Sequence, residues 1–177
     1  MQRVVEDLIS LSRIEAEKFT TPTEAVDLDQ LIEVSLESAK RMANERKSEL
    51  VASIAPDLPP IAADASQILQ VLDNLITNAL RYGEPGTPVK ISAMLEDEMV
   101  HVSVADRGEG IAPEHIKRLT ERFYRVDTSR SRSLGGTGLG LSIVKHIVER
   151  HRGRLTIESK VGKGTTVHVL LPVAGLV

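Results

Sequence analysis

The sequence predicts an α+β sandwich: a mixed, mostly antiparallel sheet covered on one face by helices, with a further helix at the N-terminal end. Three observations predict it. Segments with helical stripes are interspersed with segments of alternating polarity, but strict strand–helix–strand alternation fails. The strands come in adjacent pairs, Val89–Leu95 with Met99–Ala105 and Arg154–Ser159 with Thr165–Leu171, each joined by a short turn. Pairs joined in this way run antiparallel, which argues against a doubly wound parallel sheet. The 177 residues, 41% hydrophobic and 27% charged, suffice for one ordinary core.

Residues 1–19, MQRVVEDLISLSRIEAEKF, read as a helix without a capped start. Val4, Leu8 and Leu11 form a stripe that Val5, Ile9 and Ile14 widen. This surface suits a partner helix or the chain's own core about equally, and the missing cap suggests a longer helix. Thr20–Ala25, TTPTEA, is a linker and the best boundary, dividing the chain into a helix over 1–20, a linker over 21–26 and a domain over 27–174. Val26–Leu28 reads as a short edge strand, and Asp29–Lys47 as an amphipathic helix through Leu31, Ile32, Val34, Leu36, Ala39 and Met42. Glu49–Ala55 is a strand and Pro56–Pro60 a turn. In Asp64–Tyr82 the apolar residues Ile68, Leu72, Leu75, Ile76 and Ala79 recur at helical spacing. Asp64 is placed to cap this helix, with Gln67 completing a capping box.

Gly83–Pro88 breaks the chain before the first strand pair, which turns at Glu96-Asp97-Glu98. Pro113 precedes a short helix, Glu114–Glu121. Phe123–Leu134, rich in Ser and Arg with little periodicity, reads as a mobile loop. Gly135–Gly140 opens a helix over Leu141–His151 that Gly153 caps, and the closing pair turns at Val161–Gly164. No internal repeat or low-complexity segment occurs.

Composition excludes several classes. A net charge of −3 gives no reason to expect a general nucleic-acid or membrane binder. Aromatics at 2% leave no interleaved basic and aromatic surface for single-stranded nucleic acid. Cysteine is absent, so there is no disulfide framework or thiolate metal site, which is compatible with a reducing cytoplasm. No apolar run reaches the ~20 residues that cross a bilayer, and no signal peptide opens the sequence.

Within the Asp64–Tyr82 helix a polar stripe stands out. Gln70, Asn74, Asn78 and Arg81 share one face, although Asn is a poor helix former that competes for backbone hydrogen bonds. This points to a site for a hydrated metal and a polyanion. In GGTGLG, Gly136, Gly138 and Gly140 alternate before a helix, so the backbone can approach a ligand and aim amides at an anion. One or two such glycines would fit a flexible loop; three at alternate positions favour an anion site. It is neither a P-loop nor a dinucleotide fingerprint, lacking a Gly-Lys-Ser/Thr end and a preceding buried strand. Asp106, with Gly108 and Gly110 beyond it, can accept from an exocyclic amine beside a flat ring; taken alone, an Asx turn explains it better. Asn78 offers Mg²⁺ a neutral oxygen that leaves the ion's charge for phosphates. Arg81, Arg125 and Arg130 can meet phosphate oxygens, though Arg130 and Arg132 read better as a solvated basic segment. The histidines show no metal spacing. His146 and His151 lie five apart on a helix, His101 and His168 in strands, and all read as structural or exposed.

In order, QVLDNLITNALRY, DRGEGI, ERFYR and GGTGLGLSIVKHIVE resemble the motifs of the catalytic ATP-binding domain of bacterial sensor histidine kinases, of the GHKL superfamily that also holds gyrase and MutL. The resemblance covers essentially the whole chain and is nearest to the phosphate-regulon sensor type. It implies a Bergerat-type two-layer fold, with VEDLISLSRIEAEKF as the end of the dimerisation and phosphoacceptor helix. It implies ATP and Mg²⁺ as cofactors, Asn78 as metal ligand, and Asn74 and Arg125 as catalytic residues beside the phosphates. Arg81 would contact phosphate and Tyr82 the nucleotide; Asp106 would take the adenine amine, with Gly108 and Gly110 shaping the pocket. Gly136, Thr137, Gly138, Leu139 and Gly140 would close on the triphosphate, and Thr165 would help seat adenine. The implied partners are the chain's own or a partner's phosphoacceptor hairpin, a second copy in the full-length homodimer and a response regulator, with no nucleic acid and no membrane contact here. The implied location is cytoplasmic, within a protein anchored in the inner membrane. Two departures stand out. Arg152 replaces the glycine of a His-Gly-Gly helix end, and no histidine is followed by an acidic residue and Arg-Thr-Pro. The chain alone is therefore not expected to phosphorylate itself. A superfamily ATPase, or a degenerate nucleotide-binding module, is the alternative reading.

Overall fold

The computed structural model describes residues 2–126 and 133–175. Arg130, Arg132 and the centre of the Phe123–Leu134 loop lie outside the described residues. The elements in chain order are α1 (Gln2–Ala16), β1 (Ala25–Val26), α2 (Leu28–Glu45), β2 (Leu50–Ile54), β3 (Ile61–Ala62), α3 (Ala65–Tyr82), β4 (Val89–Glu96), β5 (Met99–Ala105), α4 (Pro113–Ile116), α5 (Gly140–Arg150), β6 (Arg154–Lys160) and β7 (Gly164–Pro172).

Five strands form one sheet in the order β2-β4-β5-β7-β6, parallel between β2 and β4 and antiparallel elsewhere. Period-two alternation puts Val89, Ile91 and Ala93 of β4, Val100, Val102 and Val104 of β5, and Val169 and Leu171 of β7 on one buried face. They pack against Ile32 and Ala39 of α2, Leu72, Ile76 and Leu80 of α3, and Ile143 and Ile147 of α5. Each fully buried Leu or Ile contributes roughly 1.5–3 kcal/mol relative to exposure, so this aliphatic layer dominates the fold. The sequence-predicted two-layer sandwich is thus the observed one. α1 adds a further layer. Its Leu11 and Ile14 are buried in the same core, while Val5, Leu8 and Ile9 along its other edge stay exposed.

Several boundaries differ from expectation for identifiable reasons. The first strand ends at Val26, because the Asp27 carboxylate accepts from the amides of Asp29 and Gln30 and starts α2 at Leu28. Ile61–Ala62, unrecognised in the sequence, pairs with Ala25–Val26 in a separate two-stranded ribbon. α4 stops at Ile116 and continues as isolated turns. The capping box at α3 is only half made. Asp64 Oδ1 accepts from Gln67 N at 3.2 Å, but the Gln67 amide is taken by Arg150 of α5 and Glu17, and Asp64 N donates to His151 Nε2 at 3.0 Å.

Candidate functional site

The polar stripe of α3 divides into two parts. Gln70 exchanges hydrogen bonds with Ser10 of α1, so it serves docking. Asn74, Asn78 and Arg81 instead line a cavity. Asn74 Nδ2 is buried with no hydrogen-bond partner among the described residues. A Cβ built on Gly140 would stand 3.5 Å from Asn74 Oδ1 and 3.8 Å from Asn78 Nδ2. The start of α5 therefore faces the two amides, and no side chain among the described residues caps it. Its first-turn N–H groups and the positive end of its dipole make an anion site.

Arg46, which sequence reasoning missed, fixes the far end of α3. Its guanidinium donates to the carbonyls of Leu80, Arg81 and Gly83 at 3.0, 3.2 and 3.0 Å, satisfying the orphan acceptors of the last turn. Burial, then the nearby Arg3, holds Arg81 below the usual guanidinium range, and a hydrogen bond with Tyr82 opposes this. A desolvated cation beside a second cation favours an anionic ligand.

At the other end of the cavity, Asp106 follows β5. Its N–H donates to Thr165 O at 2.9 Å, and its Oδ1 accepts from Gly108 N at 2.8 Å. Burial pushes its carboxyl up to about 6 against hydrogen bonds from the Gly108 and Thr165 amides. Only glycine fits at 108, where a Cβ would lie 2.3 Å from Tyr82 O. Val104, Ile157, Val167, Leu75 and Ala79 add apolar wall, giving a slot suited to a flat ring with one carboxylate at its edge.

The glycine-rich turn spans the mouth. Phe123 N donates to Gly138 O at 2.9 Å, Arg125 Nη1 donates to Gly136 O at 3.2 Å, and Thr137 Oγ1 donates to Asp7 Oδ2 of α1 at 2.7 Å. Phe123 itself holds a left-handed backbone, φ 61°. Such conformations cost of order 1–3 kcal/mol in a bulky residue and gather at functional sites.

Three comparisons with known proteins bear on the family and the fold. The sequence profile of the family described as "Histidine kinase-, DNA gyrase B-, and HSP90-like ATPase" matches residues 63–175. The chain belongs to that family. It is 38% identical over 166 residues to the phosphate regulon sensor protein PhoR of Pseudomonas aeruginosa, covering 94% of this chain and 37% of PhoR. It is 36% identical to the sensor histidine kinase WalK of Bacillus subtilis, covering 97% of this chain and 28% of WalK. It spans well under half the length of either relative. The crystal structure of full-length ShkA in complex with AMPPNP superposes with a TM-score of 0.85 at 29% identity, covering 97% of this chain and 35% of that one. The fold expected from the resemblance is therefore the fold of this ATPase-family domain.

Of the residues singled out in the sequence, the domain brings Asn74, Asn78, Arg81, Tyr82, Asp106, Gly110 and Arg125 to one cavity, with Gly136, Thr137, Gly138, Gly140 and Thr165. Two fall elsewhere. Gly108 sits behind Asp106, and Leu139 is fully buried in the core, leaving only its backbone near the turn. Arg3, Asp7, Glu109 and Tyr124 line the cavity without having been foreseen. The ERFYR motif held the one available signal for Tyr124. For Arg3 and Asp7 there was none, because only the docking of α1 carries them there. Among the described residues no group of three or more His, Cys, Asp or Glu is placed to hold a metal. The donors that do face the cavity are neutral amides, which suit a Mg²⁺ that takes the rest of its shell from phosphates and water. No helix among the described residues is long and apolar enough to cross a membrane.

Proposed function

We propose that this domain binds Mg-ATP and donates the γ-phosphoryl group to a histidine on a dimerisation hairpin, for relay to an aspartate of a response regulator. In this reading α1 is the end of that hairpin's second helix. The supporting observation is one cavity holding an amine-accepting carboxylate, Asp106, at one end and the amides of Asn74 and Asn78 facing an uncapped helix start at the other. Asp106 and the apolar slot would take adenine, with Thr165 and the Gly108–Gly110 turn shaping the edge and Tyr82 lying against the nucleotide. Arg81, Arg125 and the amides of 136–140 would hold the phosphates. Asn78 would hold Mg²⁺, which when bound neutralises charge on the triphosphate. Phosphoryl transfer relies on positioning and charge stabilisation, which this donor set supplies without a nucleophile of its own.

The family also holds ATPases, in which hydrolysis is the reaction. Asn74 argues against that reading here, because a neutral amide cannot take a proton from attacking water. The two readings part experimentally. Incubated with γ-labelled ATP, the chain should stay unlabelled and should label an added acceptor hairpin on histidine. Rapid steady-state hydrolysis with no transfer would favour the ATPase, and absence of nucleotide binding would favour a degenerate module.

A further inference from the structure

His115, Arg118, Glu121 and Tyr124 follow one another at three-residue steps, and the backbone ties each to the next. Arg118 N donates to His115 O at 3.0 Å, Glu121 N to Arg118 O at 2.9 Å and Tyr124 N to Glu121 O at 3.3 Å. A spiral of this kind eclipses side chains three apart, so α4 and the turns beyond it gather these groups on one side. Two of them hold the Tyr124 ring. Its hydroxyl is hydrogen-bonded to His115 Nδ1 at 2.5 Å, and the Arg118 guanidinium lies over the ring, 4.2 Å from its centroid. Glu121 Oε2 in turn accepts from Arg118 Nε at 3.2 Å.

The ring held in this way lines the nucleotide cavity together with Asp106, Asn78 and Arg125. The chain has two tyrosines, Tyr82 and Tyr124, and both line this cavity, which a packing role would not require. One face of the Tyr124 ring carries Arg118 and the hydroxyl is engaged by His115, so the other face and an edge are left for the cavity. An aromatic ring offers a large contact area on few rotatable bonds, and a ring pinned before binding loses little freedom when a ligand meets it.

We propose that Tyr124 is a further nucleotide-contacting residue, its ring packing against the adenosine part of the bound nucleotide, with His115 and Arg118 as positioning residues that hold the ring. This rests on the Mg-ATP reading of the cavity and adds a wall to it. The order of the chain fits, because Arg125, assigned above to the phosphates, directly follows Tyr124, and the apolar Leu119 before it lines the same cavity. The contact is made by the ring rather than the hydroxyl, which His115 already engages. A ring face accepts any base, so Tyr124 adds affinity while Asp106 selects the amine.

The test is fluorine NMR of the 177-residue chain carrying fluorotyrosine at both tyrosines, titrated with Mg-ATP and read beside calorimetry. Tyr124→Phe removes one resonance and so assigns it. The Tyr124 resonance should shift as Mg-ATP saturates the chain, and His115→Ala or Arg118→Ala should each move it before nucleotide is added. By calorimetry Tyr124→Ala should weaken Mg-ATP binding roughly 10-fold or more. Tyr124→Phe and His115→Ala should each weaken it roughly 2- to 5-fold, with no further loss in the double variant. Retained melting transitions show that the variants are folded. The proposal is overturned if Mg-ATP binds and shifts the Tyr82 resonance while that of Tyr124 stays fixed, or if folded Tyr124→Ala binds as the wild type does. Additive losses in the double variant overturn the positioning by His115. No binding of Mg-ATP by the wild type would instead overturn the nucleotide reading of the cavity itself.

Discussion

Thr137, in the glycine-rich turn, hydrogen-bonds Asp7 of α1 at 2.7 Å across 130 residues of sequence. The mouth of the cavity is therefore tied to the N-terminal helix, which Arg150 also holds by donating to Glu17 O at 3.1 Å. Asp7→Ala should loosen the turn without unfolding the domain. A hydrogen bond to a charged acceptor is worth about 1.5–3 kcal/mol, so amide exchange over 136–139 should accelerate tenfold or more. Unchanged exchange there would mean that the turn is held by Phe123 and Arg125 alone.

Asp106 gives the domain a signed pH dependence. Its carboxyl is raised from 3.8 to about 6, so the folded state keeps a proton that the unfolded chain releases. Stability therefore falls as pH rises from about 4 to 6 and levels off above, by an amount on the order of 3 kcal/mol. Asp106→Asn should flatten that segment of the denaturation profile. The ionised form is also the better acceptor for an amine, so nucleotide affinity should fall as pH drops through about 6. A pH-independent affinity in calorimetry from pH 5 to 8 would contradict the base-binding role.

Arg46→Ala would leave the carbonyls of Leu80, Arg81 and Gly83 without their donor. A loss of roughly 2–4 kcal/mol in chemical denaturation is expected, together with weaker nucleotide binding as Arg81 and Tyr82 lose their anchor. Arg46→Lys should recover little, because an ammonium cannot reproduce the planar fork. Full rescue by Lys would show that charge alone matters at this corner.

Arg152, two residues past the last residue of α5, lies in the left-handed region, φ 54°, a position that favours glycine after a helix. Arg152→Gly should stabilise the domain by about 1 kcal/mol. The following Gly153 is different. A Cβ there would lie 2.4 Å from Leu170 O, so Gly153→Ala should destabilise although its own φ is not left-handed. Thermal melts of the two variants should move in opposite directions.

The fold class was legible because its signals are local. Ile68, Leu72 and Ile76 repeat along one helix, and Val100, Val102 and Val104 alternate along one strand. The site was legible where polar residues sit against local propensity, as Asn74 and Asn78 do in a helix. What stayed hidden depends on contacts remote in sequence. Ile61–Ala62 is too short to show periodicity, and Arg46 reads as an ordinary surface cation until its helix meets the end of α3. His101 and His168 lie 67 residues apart, and only the register of β5 against β7 joins them. Gln67 looked like half of a capping box, and its partner turned out to be Arg150 from another helix.

The central claim is that Asn74, Asn78 and the start of α5 hold the phosphates of Mg-ATP while Asp106 holds its base. Calorimetric titration of the chain with ATP, with and without Mg²⁺, tests it most directly when repeated on Asn78→Ala. The wild type should bind one ATP with an affinity that Mg²⁺ strengthens, and Asn78→Ala should lose the Mg²⁺-dependent part while keeping its melting transition. Equal Mg²⁺ dependence in the variant, or no ATP binding by the wild type, would contradict the account.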